Sequence, residues 1–301
     1  MIPLALVTGF LGSGKTTFLK QFVRRYRGRK IVYLVNEFSA KDVDGALLAG
    51  ETPDVVSVAG GSIFCRCLVT EFIAHLRELP ARFGTSATPV EAVVVEASGI
   101  ANPAVAGQML REARLDRQYE LTSVVAIVDP GSFGKLLRTL PNIRAQIEAA
   151  SHILINKTDA YPATLIGQTE AAVCEINPAV TPVRTSHGAA DVELFGTRFA
   201  GVQGGELAQC SDPNFASFTV LLDRGLDLDR FRAALEAVKE DIYRIKGFVA
   251  TAGQRFHLDY SASGLRVEET AEQRPSELVF ILRAPLTAAT RRFLHSVRTG
   301  C

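Results

Sequence analysis

The chain has 301 residues, 47% of them hydrophobic and 22% charged, enough length and apolar content to bury a sizeable core. Lys and Arg total 33 against 32 Asp and Glu, a net charge of +1, so no bulk field argues for a nucleic-acid or membrane-surface partner. The five cysteines are odd in number and unevenly spaced, unlike a disulfide framework, and no apolar run is long enough to span a bilayer, so the expectation is a reducing, cytoplasmic compartment.

The chain opens with an apolar strand, Ile2 to Val7, read as a core strand rather than a signal peptide because it leads straight into Gly9-Phe10-Leu11-Gly12-Ser13-Gly14-Lys15-Thr16-Thr17. That run fits the phosphate-binding pattern G-x-x-x-x-G-K-[ST] between a strand and a helix. The glycines let backbone N–H groups turn inward around phosphates, Lys15 supplies a point charge for the β- and γ-phosphates, and Thr16 offers a hydroxyl to Mg²⁺. The following helix, 15–26, aims its positive end at the anion. Gly9, Gly12, Ser13, Gly14, Lys15, Thr16 and Thr17 are therefore assigned to nucleotide. A basic cluster, Arg24 to Lys30, ends that helix and reads as a solvated helix terminus.

Strands are predicted next at Ile31 to Asn36, Val55 to Val58, Ala92 to Glu96, Val124 to Asp129, Ile153 to Asn156 and Thr181 to Arg184. Helices are predicted at 67–79, 101–112, 142–149 and 163–175. This alternation is that of a doubly wound, mostly parallel sheet of P-loop NTPase type. Residues 206–214 read as a linker between a nucleotide domain, 1–205, and a smaller α+β domain, 215–301. In the latter, strands are predicted at Phe215 to Leu222, 243–251, 255–260, 264–269 and Leu278 to Arg283, with helices at Leu228 to Val238 and Pro285 to Val297.

Asn156-Lys157-Thr158-Asp159, at a strand end, fits the guanine loop N-K-x-D. The Asp159 carboxylate would accept from guanine N1–H and the 2-amino group, Asn156 would brace the loop, and the Lys157 stem would cover the base. Thr185-Ser186-His187 is the neighbouring base-side loop. Glu96, at the end of an apolar strand and followed by Ala97-Ser98-Gly99, would hold the Mg²⁺ water shell or position the attacking water, with Gly99 sensing the γ-phosphate. Lys15, Glu96 and Gly99 form the expected catalytic set. Glu37 ends the second strand at the same edge, as a switch residue or a solvated turn acid, and the former is favoured.

These runs, with Glu96-Ala97-Ser98-Gly99-Ile100-Ala101-Asn102-Pro103 and the later Tyr243-Arg244-Ile245-Lys246-Gly247, resemble the metal-handling P-loop GTPases, within them the CobW-like metallochaperones. The resemblance extends over nearly the whole chain. It implies hydrolysis of GTP to GDP and phosphate, with Mg²⁺, and GTP-gated delivery of a divalent transition metal, of zinc or cobalt class with Zn²⁺ foremost, to a client metalloprotein. A nucleotide-dependent homodimer is a further expectation. The chain departs from the family's Gly-Cys-x-Cys-Cys run: Ser62 and Phe64 stand at two of its cysteine positions, Cys65 keeps the third, and Cys67 is additional. Two residues apart in an extended segment share a face, so Cys65 and Cys67 could grip one soft cation, with Glu37 or Glu71 completing the shell. The other reading makes both cysteines small, inert core residues, and the protein a GTPase switch that assembles a client without carrying metal. Cys174 is expected in the core, Cys210 in the linker, and His75 outside the metal site.

Overall fold

The structure, a computed structural model, describes residues 1–37, 48–59, 62–66, 68–196, 199, 215–251, 253–271 and 275–300, with Glu37 and Ala59 described in their backbone alone. Cys67, Cys210 and the expected linker 206–214 lie outside the described residues. The chain divides into two compact units, Met1–Cys210 and Ser211–Cys301.

In the first unit the described residues form a seven-stranded sheet ordered β3-β2-β4-β1-β5-β6-β7. Its strands are β1 (Ile2–Thr8), β2 (Ile31–Glu37), β3 (Val55–Ala59), β4 (Ala92–Glu96), β5 (Tyr119–Val128), β6 (His152–Ile155) and β7 (Val183–Arg184). Every pairing is parallel. The helices are α1 (Lys15–Arg25), α2 (Val69–Phe83), α3 (Ala106–Glu112), α4 (Pro130–Thr139), α5 (Pro141–Glu148) and α6 (Ala163–Ile176).

Helices on both faces explain why the strands are continuously apolar rather than alternating. Leu4, Leu6, Val32, Leu34, Val93 and Val95 face Phe72, Leu76, Met109 and Leu110 in one core. The alternate residues Ala5, Val7, Tyr33, Val35 and Val94 face Phe18, Leu19, Phe22 and Val23 in the other. The arrangement leaves the carboxyl ends of β1, β2, β4, β5 and β6 along one edge, where doubly wound sheets bind ligands.

The second unit is a five-stranded antiparallel sheet ordered β11-β10-β9-β12-β8. It consists of β8 (Phe215–Leu221), α7 (Leu228–Glu236), β9 (Ile242–Thr251), β10 (Gln254–Ser261), β11 (Gly264–Glu269), β12 (Glu277–Arg283) and α8 (Ala288–Arg298). Phe231, Leu235, Ile245, Val249, Leu258, Phe280 and Phe293 form its core. The final helix starts later than expected, at Ala288, because the Thr287 hydroxyl accepts from Thr290 N at 3.1 Å and caps it there.

Four further sequence expectations are corrected. First, β5 begins at Tyr119, not Val124. Its register against β1 shifts between Leu4 and Ala5, so Leu4 pairs with Leu121 and Ala5 with Ser123, leaving Thr122 as a bulge. The Thr122 hydroxyl lies 2.7 Å from Leu194 O and 3.2 Å from Leu4 O, polar contacts that the apolar pattern cannot signal. Second, α4 forms where no helix is predicted, over a stretch that holds Pro130, Gly131 and Gly134. Asp129 nevertheless accepts from Gly131 N at 3.0 Å, proline occupies the first turn, and Phe133 and Leu136 are buried.

Third, α2 was expected to stop at residue 79, before Pro80, and instead runs to Phe83. Proline has no N–H for the carbonyl four residues earlier, Leu76 O. The buried Tyr119 hydroxyl donates to that carbonyl at 2.6 Å and so replaces the missing bond. Fourth, Cys174 is exposed. The buried face of α6 is Ile166, Thr169 and Val173, and one further residue turns the thiol away from it.

The basic cluster is absorbed by surface ion pairs, Arg24 with Glu51, Arg25 with Asp191, Arg29 with Glu91 and Lys30 with Asp54. Among the described residues no helix is long and apolar enough to cross a membrane.

Candidate functional site

The phosphate-type loop leaves β1 at the centre of the sheet. Gly9, Gly12 and Gly14 have φ of 137°, 79° and 107°, a region in which a side chain would be strained. Space excludes one as well. A Cβ on Gly9 would lie 2.3 Å from Ile127 O, and one on Gly14 would lie 2.2 Å from Asn156 Nδ2. Gly14 is also the N-cap of α1 and, lacking a side chain, makes no side-chain cap hydrogen bond to it.

Lys15 is buried, and its Nζ donates to Gly9 O at 3.0 Å and to Phe10 O at 3.4 Å, within the loop. The same ammonium is 4.0 Å from Glu96 Oε1. Glu96 is only 2% exposed and pairs in register with Val7, one residue before the end of β1. Gly99 lies against the loop: a Cβ there would be 2.6 Å from Leu11 N. Thr16 is half-buried and Thr17 exposed.

Three buried hydroxyls surround this centre, those of Thr8, Ser13 and Ser98, and among the described residues none has a hydrogen-bond partner. A buried polar atom left unsatisfied costs free energy, and three at one sheet edge fit a polar group that completes them. The glycine cradle, the buried ammonium and these hydroxyls fit a polyphosphate with its metal ion. Thr16 and Glu96 lie at this edge, and a hydroxyl and a carboxylate suit a hard cation such as Mg²⁺.

The base-side loops are fastened to the phosphate loop by one side chain. Asn156, 2% exposed, donates from Nδ2 to Ser13 O at 2.8 Å and accepts at Oδ1 from Gly188 N at 3.0 Å. Gly188 in turn sits on α1, where a Cβ would come within 2.7 Å of Phe18 N. Thr158 N and its hydroxyl both donate to Thr185 O, at 3.2 and 3.1 Å, which joins the two base-side loops. Lys157 has φ 60°, uncommon for a side-chain-bearing residue, and its ammonium is 2.7 Å from Asp129 Oδ2. The Asp159 side chain is 48% exposed, with Oδ2 3.6 Å from His187 Nε2.

The thiol loop lies beyond β3. Cys65 is buried at 6% exposure, with its N–H on Ser62 O at 2.9 Å and its carbonyl accepting from Leu68 and Val69 at the start of α2. Phe64 is buried against Phe72 and fills core space where the resemblance has a cysteine. Cys67 and the side chain of Glu37 lie outside the described residues. Glu71 is exposed and 3.6 Å from His75. Among the described residues no three His, Cys, Asp or Glu side chains are grouped to hold one ion.

Sequence reasoning missed several residues here. Asn36 hydrogen-bonds both the thiol loop and the segment after Glu96, through Ile63 N at 3.0 Å and Ser98 N at 3.1 Å. Asp129 holds Lys157. Gln146 donates to Gly99 O and Ala101 O, both at 3.1 Å, and Asn142 donates to Ile100 O at 2.8 Å. An asparagine ending an otherwise apolar strand was the available signal for Asn36. Gln146 looked like any polar residue on an amphipathic helix.

The chain matches two family descriptions: "CobW/HypB/UreG, nucleotide-binding domain" over residues 3–184 and "Cobalamin synthesis protein cobW C-terminal domain" over 215–298. It is 27% identical to a zinc chaperone CobW of Pseudomonas aeruginosa, over 91% of this chain and 83% of that one. It is 26% identical to the zinc chaperone YjiA of Escherichia coli, over 84% of this chain and 83% of that one. The solved Zn(II)-bound YjiA GTPase from E. coli is similar at 20% identity, with 99% of each chain covered and a TM-score of 0.48. The phosphate loop, the guanine-type loop and the match over most of its length agree: the chain belongs to the CobW/HypB/UreG family of metal-handling P-loop GTPases.

Proposed function

We propose that this protein is a GTP-hydrolysing metallochaperone that carries a divalent transition metal, Zn²⁺ foremost, and delivers it to a client protein under nucleotide control. The observation that carries the nucleotide half is Asn156, whose one carboxamide joins the phosphate loop to the loop beside Asp159. The names of the relatives, zinc chaperones, support the metal half.

Hydrolysis works by positioning and electrostatics. Lys15 and the first amides of α1 stabilise charge on the β- and γ-phosphate oxygens as water attacks the γ-phosphorus and the bond to the β,γ-bridging oxygen breaks, giving GDP and phosphate. Thr16 would hold Mg²⁺, which when bound would supply Lewis-acid neutralisation of the phosphate charge. Glu96 orients the attacking water or the outer shell, and Gly99, against Leu11, reads the γ-phosphate through its backbone. Asp159 selects guanine through two hydrogen bonds that adenine cannot offer. Gly9, Gly12, Ser13, Gly14 and Thr17 complete the phosphate cradle, and Lys157, tied to Asp129, covers the base.

The metal is cargo. Cys65 and Cys67 are the thiolate pair, and two thiolates leave Zn²⁺ short of its usual four ligands, so Glu37 or Glu71 and water complete the shell. An incomplete protein shell suits release. The test is a competitive chelator titration of wild type and Cys65→Ala/Cys67→Ala, each with GDP and with a GTP analogue. Wild-type affinity is expected to differ roughly 5- to 150-fold between nucleotide states, a range usual for linked sites.

Equal affinity in all four samples would favour the second reading, a GTPase switch that assembles a client without carrying metal. The burial of Cys65 and the placing of Phe64 in the core speak for that reading. The proposal includes a GTPase domain over 1–205, a C-terminal domain over 215–301, a nucleotide-dependent homodimer and cytoplasmic residence. Limited proteolysis and sedimentation in both nucleotide states test the first three.

A further inference from the structure

Asn36 is the penultimate residue of β2, the strand between β3 and β4. It is 4% exposed and pairs in register with Val58, while its neighbour Val35 pairs with Glu96. Beyond this point β3 leads towards the Cys65 turn and β4 into the segment of Ser98 and Gly99. The Asn36 carboxamide holds all three together where they part: Nδ2 donates to Val58 O at 3.2 Å, and Oδ1 accepts from both Ile63 N at 3.0 Å and Ser98 N at 3.1 Å.

Each of those amides lies a short covalent step from chemistry. Ser98 precedes Gly99, whose α-carbon lies so close to Leu11 of the phosphate loop that no Cβ fits. The Ser98 hydroxyl is itself buried and without a partner among the described residues. On the other side, Ile63 is buried and two residues from Cys65, and the turn between them is closed by Cys65 N on Ser62 O. The far end of that turn is fixed, because the Cys65 carbonyl receives the first amides leading into α2 and Phe64 packs edge-on against Phe72. A displacement of Ser98 is thus passed by one shared acceptor atom to the near end of a turn whose far end is anchored.

We propose that Asn36 is the positioning residue through which the γ-phosphate side of the nucleotide site and the Cys65 loop are coupled. One oxygen serves two donors, so neither amide can shift or gain a competing partner without changing the bond to the other. This rests on the GTPase reading for the nucleotide arm, and only one of its readouts rests on the metal reading.

The test uses full-length protein in which Cys174, Cys210 and Cys301 are serine. Labelling rates at Cys65 with a small maleimide, resolved by peptide mass analysis, are measured with GDP and with a non-hydrolysable GTP analogue. Zn²⁺ affinity is measured in parallel. In the Asn36 wild type, Cys65 labelling is expected to differ several-fold between the two nucleotides. Asn36→Ala should abolish that difference while GDP still binds. Asn36→Asp keeps an oxygen acceptor for both amides while setting its second oxygen against Val58 O, so it should retain the difference at a cost in stability.

If Asn36→Ala does not fold, amide exchange in the Asn36 wild type decides: Ile63 and Ser98 should change protection together on nucleotide exchange. Independent changes, or a nucleotide effect at Cys65 that survives in Asn36→Ala, overturn the role of Asn36. No zinc binding in any sample, with nucleotide-dependent Cys65 labelling intact and lost in Asn36→Ala, supports the coupling and counts against the metal reading alone.

Discussion

Replacing Asn156 with alanine removes a donor from Ser13 O at 2.8 Å and an acceptor from Gly188 N at 3.0 Å, both at a side chain 2% exposed to solvent. Leaving a buried polar group unsatisfied costs about 1–3 kcal/mol, and two are left here. Both lie on loops at the ligand edge of the sheet, where water can enter the space vacated, so the total should fall near the lower end, about 2 kcal/mol. For a unit of this size that corresponds to a fall in Tm of roughly 4–8 °C.

Asn156 touches loop backbone rather than the base position, so GDP and GTP-analogue affinity should fall together while guanine is still preferred over adenine. Calorimetric melts and nucleotide competition titrations measure both effects. A second expectation follows from Gly14, where a Cβ would lie 2.2 Å from Asn156 Nδ2. Gly14→Ala should therefore destabilise less in the Asn156→Ala background, retaining only the backbone strain of φ 107°. An Asn156→Ala protein with unchanged Tm and selectively lost guanine preference would refute the brace and place this residue at the base.

Lys15→Ala should abolish hydrolysis and weaken triphosphate binding more than diphosphate binding, because the lost charge serves the β,γ oxygens; unchanged turnover in a folded variant would overturn the assignment. Asp159→Asn should relax the preference for guanine over adenine, and tight GTP binding with continued rejection of ATP would remove its base-reading role. Tyr119→Phe should cost about 1–3 kcal/mol by stripping Leu76 O of its donor, and less in a Pro80→Ala background that returns a helical N–H, as paired denaturant titrations would show. Burial pulls the His152 imidazole below its usual 6.5, so the folded state resists the proton that the unfolded chain accepts. Its contribution to stability is present above pH 6.5 and lost as pH falls through the folded value, and His152→Gln should flatten stability against pH in that window.

What could be read from the sequence was what repeats locally or pairs chemistry with spacing. The glycine run around Lys15, the strand ends at Glu96 and Asn156, and the apolar strands between them all have a signature of that kind. Asn36, Gln146 and Asp129 do not. Each is an ordinary polar residue whose role comes from backbone groups or a charge 22 to 62 positions away, such as Val58 O, Ser98 N, Gly99 O or Lys157. The start of β5 was hidden for a related reason: Glu120, Thr122 and Ser123 break the apolar pattern, and the hydroxyls find partners at Leu194 O. Cys174 shows the converse, a residue type usually buried that a one-position offset on α6 leaves exposed.

The contact between Tyr119 and Leu76 also orders events in time. Up to Leu79, α2 can be written by its own residues, but Pro80 withdraws the N–H that would fasten its last turn. The donor that replaces it arrives with a strand 43 residues away. Closing so long a loop carries an entropic cost that local helix formation does not, so the two halves of α2 have different requirements for persisting. An excised peptide spanning 62–90 should fray beyond Leu76. In the refolding chain, amides near the C-terminus of α2, such as Gly84 N on Pro80 O, should gain protection with β5 rather than with the first turns of their own helix. Tyr119 pairs in register with Ile2, so the end of a peripheral helix waits on the assembly of the central strand that carries the phosphate loop.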